Sequence, residues 1–210
     1  AADITFIRAN VVPVGEDQKS HVEYARDIAQ KFNDTYGEVF PIPEPLIGEV
    51  PTLPGTDGQA KMGKSTGNAI FLTDTSEEVK KKVMGMYTDP NRIHGDEQGN
   101  VENNPVFVYL DAFVPETQNT KYRIPALPAG RQNTEYKKRY SKGKIKDVEV
   151  KEFLVEVLDE FLAPIRKRRD KFEREQGLVE QILKEGTEKT RAEAQKTLEE
   201  VRRAMKMDYF

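Results

Sequence analysis

The spacing of apolar residues changes several times along the chain. Between residues 4 and 14 apolar and β-branched side chains crowd together, ending in Val11, Val12 and Val14, which predicts a strand or two short ones. From Gln18 to Asn33 the pattern turns helical, with Val22, Ala25, Ala29 and Phe32 at three- and four-residue steps. Residues 37–68 hold Pro41, Pro43, Pro45, Pro51 and Pro54 among several glycines, which predicts a long loop region with one short strand near Leu46–Ile47. Loops of that length are commonly functional.

Helices dominate the rest. Thr75 and Glu78 have capping-box spacing ahead of Val79, Val83 and Met86. A turn-rich stretch over 89–104 precedes a short apolar helix at Val106–Phe113, and 115–135 reads as loop. Val150, Phe153, Leu154, Val157, Leu158, Phe161, Leu162 and Ile165 form a helical stripe that Pro164 is expected to kink. Leu178, Ile182 and Leu183 predict a short helix ended by Gly186, and Ala194, Leu198, Val201 and Met205 line a last one. No internal repeat is evident. The expected fold class is α/β followed by all-α, with residues 1–72 as the α/β domain and 73–210 as the helical one.

Composition narrows the chemistry. With no cysteine, disulfides, thiolate metal sites and a cysteine nucleophile are excluded. His21 and His94 are the two histidines, far apart in sequence, and a lone histidine near a helix start is more often structural than catalytic. No apolar run approaches the ~18–20 residues that span a bilayer, so a soluble cytoplasmic protein with no membrane partner is expected. Residues 1–135 carry 13 basic and 20 acidic side chains; residues 136–210 carry 20 and 16. The basic, helical back is the better candidate for a polyanion, although mixed charges on a solvated face give the same pattern.

Several segments can carry chemistry. Lys61-Met62-Gly63-Lys64-Ser65 sits within the glycine-rich run from Pro54 to Asn68. Its two lysines, three residues apart, can bring both ammonium groups to one phosphate chain and stabilise a departing pyrophosphate. The spacing is not that of a P-loop, and a solvated surface loop is the competing reading. Val12-Pro13-Val14-Gly15-Glu16-Asp17-Gln18 runs from a strand into a helix. Ligands in open α/β sheets bind at carboxyl ends of strands. Gly15 allows close approach, Asp17 can accept from a ribose diol, and Gln18 can meet a polar headgroup. Asp17 could equally cap the helix. Tyr136-Lys137-Lys138-Arg139-Tyr140, followed by Lys142, Lys144 and Lys146, joins cations to aromatics, which can neutralise phosphates and stack on bases. Arg166-Lys167-Arg168-Arg169 is a second basic cluster.

Together these segments resemble the tryptophanyl-tRNA synthetases, a family of class I aminoacyl-tRNA synthetases. The likeness rests on Val12–Gln18 with His21, Glu23, Arg26–Ala29 and Phe32-Asn33; on Leu53–Gly58 leading to Lys61–Ser65 and Gly67-Asn68; and on Leu162–Arg166, Leu183–Gly186 and Val201–Met205. It covers nearly the whole chain and is weakest over 90–135. The resemblance implies the C-terminal part of a Rossmann-like catalytic domain with a KMSKS-type loop, then a helical anticodon-binding domain. It implies that Asp3 accepts the indole N–H of tryptophan, that Val12 and Val14 pack on the indole, and that Gln18 meets the amino acid headgroup. It places Gly15 and Asp17 at the ribose, Leu53 and Met62 at the adenine, and Lys61, Lys64 and Ser65 on the ATP phosphates as the catalytic loop. ATP as substrate, Mg²⁺, L-tryptophan, tRNA and a homodimer follow from the same resemblance; DNA does not.

Two departures stand out. Gly63 replaces the family's usual serine, and one extra residue, Ala60, precedes the loop. The family's His-x-Gly-His motif is not in the sequence, so the chain is expected to be a C-terminal portion, inactive by itself. Three readings stay open: a tryptophan–tRNA ligase, an inert RNA-binding portion of one, and the tyrosine-specific relative.

Overall fold

The computed structural model describes residues 1–48, 52–59, 62–89, 92, 94–114, 131–207 and 209. In chain order its elements are α1 (Ala2–Thr5), β1 (Val11–Val14), a 3-10 turn (Glu16–Gln18), α2 (Lys19–Tyr36), β2 (Glu44–Ile47), α3 (Ser76–Met84), α4 (Pro105–Phe113), α5 (Arg131–Ser141), α6 (Asp147–Arg174) and α7 (Leu178–Ala204). They form two compact units, Ala1–Pro51 with Glu175–Phe210, and Thr52–Arg174.

The first unit is α/β. β1 and β2 pair in parallel, with Val11 opposite Glu44 and Val14 opposite Ile47. α2 buries Val22, Ala25 and Ala29, the face its spacing predicts. Asn33 fixes the return from α2 to β2: its amide oxygen accepts from the N–H groups of Val39 and Phe40, and its Nδ2 donates to Phe40 O at 2.7 Å. Arg8 donates to Val39 O at 3.0 Å and pairs with Glu200 of α7. The Thr197 hydroxyl donates to Phe6 O at 2.8 Å.

The second unit is helical. Val79, Val83, Met86, Phe107, Leu110, Tyr140, Leu154 and Val157 are among its buried core. α3 starts with the expected capping box: Thr75 accepts from Glu78 N, and Glu78 accepts from Thr75 N at 2.8 Å. α4 is capped by Asn104, which accepts from Val106 N at 3.1 Å, with Pro105 in the first turn. Lys151 of α6 closes the other end of α3, donating to Met84 O at 3.1 Å and Met86 O at 2.7 Å. Burial pushes its ammonium pKa down. The Arg92 guanidinium lies 4.3 Å from the Tyr140 ring centroid and donates to the carbonyls of Gly95, Glu97 and Ile145.

Some expectations need correction. Residues 2–5 are helical, and the strand covers only Val11–Val14. An apolar run without alternation does not distinguish the two structures. Gly186 does not end a helix; α7 continues through it from Leu178 to Ala204. An interior glycine costs about 1 kcal/mol, which a long helix tolerates. α5 begins at Arg131, inside the stretch read as loop to residue 135.

Candidate functional site

The expected site residues fall into two groups, one in each unit. In the α/β unit, Val12 and Val14 share the half-buried face of β1, while Val11 and Pro13 point the other way. Gly15 follows as the cap of the 3-10 turn. A Cβ at Gly15 would lie 2.9 Å from Asp17 Oδ1, so the carboxylate folds back over Gly15. Gln18 Nε2 donates to Asp17 Oδ2 at 3.3 Å. Gly15, Asp17 and Gln18 are thus brought together at the carboxyl end of β1. No side chain caps the turn or α2, so Asp17 is not the helix cap. Its carboxylate and the Gln18 headgroup are exposed and able to meet a ligand. Asp3 is exposed on α1. His21 and His94 are exposed as well.

In the helical unit, residues 53–59 and 62–68 are loop segments tied together by Asn68. Gly63 N and the Thr66 hydroxyl donate to Asn68 Oδ1 at 2.8 and 2.6 Å, and Asn68 Nδ2 donates to Asp57 Oδ1 and Oδ2 at 3.0 and 3.1 Å. Thr56 N donates to Asn68 O at 2.8 Å, and Tyr87 N to Thr56 O at 2.9 Å. The Asn68 amide, helped by the Gln59 N–H, holds the Asp57 carboxyl below its usual pKa. Leu53 and Met62 pack against the helical core, and the Tyr109 hydroxyl donates to Pro54 O at 2.9 Å and approaches Met62 Sδ at 3.2 Å. Lys64 and Ser65 project from the loop, exposed. A Cβ at Gly63 would lie 2.8 Å from Thr66 Oγ1, so the threonine hydroxyl fills space that a serine at 63 would need. Lys61 and Ala60 lie outside the described residues.

The basic segments are less open than their composition suggests. Tyr136 stacks on Phe153 with centroids 4.6 Å apart, and Tyr140 is buried. Tyr140 belongs to the core rather than to a base-stacking platform, and Tyr136 has one ring face covered. Lys137 pairs with Asp111 at 2.5 Å, Arg166 with Asp159, and Arg169 with Glu173 at 2.6 Å. Lys138, Lys142, Lys144, Lys167 and Arg168 remain exposed cations.

Asn68 and Tyr109 organise the loop yet carried no role in the sequence reading. A signal existed for Tyr109: a phenol in an apolar helix needs a partner for its hydroxyl. Asn68 gave none beyond its place after Gly67.

Residues 1–163 match the family model for tRNA synthetases class I (W and Y). The chain belongs to that family. It is 49% identical over 205 residues to the tryptophan–tRNA ligase of Treponema pallidum, covering 98% of this chain and 57% of that protein. It is 48% identical over 213 residues to that of Clostridium longisporum, covering 100% and 59%. Among solved structures, a tryptophanyl-tRNA synthetase of Campylobacter jejuni complexed with ADP and tryptophan superposes with a TM-score of 0.70 at 29% identity, over 97% of this chain and 59% of that one. The chain therefore spans less than two thirds of the length of these relatives.

Proposed function

We propose that the chain serves a tryptophan–tRNA ligase: ATP activates L-tryptophan to tryptophanyl-adenylate with release of pyrophosphate, and the aminoacyl group passes to tRNA. The observation that carries this reading is the family match over residues 1–163, joined to relatives at 49 and 48% identity that are tryptophan–tRNA ligases. In this reading residues 1–72 contribute to catalysis, residues 73–210 read the anticodon, and the protein works as a cytoplasmic homodimer.

Each residue has a physical task. Asp17 and Gly15 accept the ATP ribose, with Gln18 on the tryptophan headgroup and Asp3 on the indole N–H. A site that must satisfy that one donor rejects a side chain lacking it. Val12 and Val14 give an apolar wall for the ring. Leu53 and Met62 flank the adenine. Lys64 and Ser65, with Lys61, meet the phosphates as a KMSKS-type loop and stabilise charge on the departing pyrophosphate. Exposed Lys138, Lys142, Lys144, Lys167 and Arg168 offer cations to tRNA phosphates. Among the described residues no group of three or more His, Asp or Glu is placed to hold a metal. Mg²⁺ is an ion usually carried largely by substrate phosphates, and no step is assigned to it.

The test is tryptophan-dependent exchange of labelled pyrophosphate into ATP by the complete protein. Lys64→Ala is expected to lower that rate and leave tryptophan affinity nearly intact. Exchange driven by tyrosine instead, or none with either amino acid, overturns the reading. The 210 residues alone are expected to give no exchange.

A further inference from the structure

We infer that Tyr109 is a positioning residue for the loop that carries Lys64: it anchors the loop at Pro54 and touches Met62 through a weaker contact. The loop role itself rests on the function proposed above, but the anchoring does not.

The geometry is specific. Tyr109 sits on α4 and is 2% exposed, so its hydroxyl has little access to water and must find partners inside the protein. Burial alone raises the phenol to about pKa 12, so it stays a donor at any ordinary pH. It has one proton and two acceptors in reach, Pro54 O at 2.9 Å and Met62 Sδ at 3.2 Å. A carbonyl is a good acceptor and a thioether a poor one. The proton therefore belongs mainly to Pro54, at the root of the loop. Met62 lies beside it through a contact that costs little to break.

Asn68 completes the arrangement by tying Gly63, Thr66 and Asp57 to one amide. Tyr109 thus fixes the chain at Pro54, and Asn68 ties together Asp57, Gly63 and Thr66. Lys64 and Ser65 are left exposed. A loop that must place Lys64 against a phosphate chain gains from a fixed root, because misplacement by about 1 Å can cost roughly a hundredfold in rate.

Tyr109→Phe deletes the hydroxyl and keeps the ring in its buried place. Tyr140→Phe is the control: it removes another buried hydroxyl from the same unit, one that donates to Asp147 at 2.6 Å rather than to the loop. The measurement is trypsin cleavage after Lys64, followed by mass spectrometry on the 210-residue chain. Loss of one hydrogen bond typically raises the open population roughly fivefold, and cleavage follows that population when reclosing is fast. Tyr109→Phe is expected to be cut about that much faster at Lys64, with Tyr140→Phe unchanged there. In the complete protein the same variant is expected to raise KM for ATP and leave KM for tryptophan alone. Wild-type cleavage by Tyr109→Phe, or equal acceleration in both variants, overturns the inference. Absence of any pyrophosphate exchange in the wild type overturns the proposed function and leaves the proteolysis result standing.

Discussion

Leu110, Leu154, Val79 and Val83 of the helical unit are wholly buried, whereas Val179, Ile182 and Leu183 of α7 in the α/β unit are 62, 57 and 64% exposed. Val11 and Leu46, one on each strand, are each 54% exposed. They occupy the same outward face, since β1 and β2 both alternate exposed with half-buried positions in matching register. Parallel sheets are normally covered on both faces. Phe6, Ile182, Leu183, Gly186, Thr190 and Ala194 also line an open groove. The helical unit has a large buried apolar core, although Leu72, Val148 and Phe172 are 59, 50 and 50% exposed; the α/β unit buries fewer apolar side chains and presents many of them outward. The helical unit is expected to own most of the stability, and the α/β unit to gain stability from whatever covers that surface.

The largest effect should come from opening the helical core. Phe107 is 1% exposed and meets Tyr140 edge-on at 5.0 Å. Phe107→Ala is expected to cost about 4 kcal/mol, the scale of a deleted buried ring. Leu183→Ala on α7 should stay within about 0.5 kcal/mol, as a surface change does. Urea titrations of both variants check this. Similar losses at the two positions would remove the contrast between the units.

Next comes the buried lysine. Lys151→Met keeps most of the stem but leaves the Met84 and Met86 carbonyls without their donor. The Met86 bond is the buried one of the two, and a buried acceptor left unpaired costs about 1–3 kcal/mol, so a loss of about 2 kcal/mol is expected, read as a shift of the same urea midpoint. Thr75→Ala should follow at about 1 kcal/mol, the usual value of an N-cap, with fraying at the start of α3 detectable by hydrogen exchange.

These helical features show how much could be read in advance. Thr75 and Glu78 signal a cap within four residues, and the stripe from Val150 to Ile165 fixes the buried face of α6, because both are local patterns. Gly15, Asp17 and Gln18 were legible as a cluster for the same reason: they fall within four residues of one turn. The Tyr109 contact with Pro54 joins residues 55 positions apart, and no local pattern encodes it. The basic run at 136–146 misled in the opposite way. Tyr136 and Tyr140 sit among lysines in sequence, yet the helix turns them onto Phe153 and Phe107. α1 was missed because four residues carry too little periodicity to choose between helix and strand.

The smallest expected effect is a difference in acid sensitivity. Among the described residues of the helical unit, three carboxyls have pKa values held below normal. Asp57 owes this first to the Asn68 amide, Glu78 to the Thr75 N–H, and Asp159 to the Ser76 hydroxyl, with Arg166 adding to the last. In the α/β unit Glu193 is the depressed carboxyl among the described residues, through Lys196. A carboxyl whose folded pKa lies below its unfolded value adds stability that is present above the unfolded value. That stability is lost as pH falls through the folded one. The unfolded values are 3.8 for Asp and 4.5 for Glu, so the loss begins below about pH 4.5 and deepens below 3.8. Asp57, Glu78 and Glu193 are exposed and the Asp159 side chain is 39% exposed, so solvent screens them and the effect is small. Hydrogen exchange, corrected for its intrinsic pH dependence, should show protection falling more in residues 76–84 and 147–174 than in 19–36 between pH 5 and 3. Asp159→Asn should remove part of that difference. A uniform fall across both units would mean that these hydrogen-bonded carboxyls do not set the acid response of the helical unit.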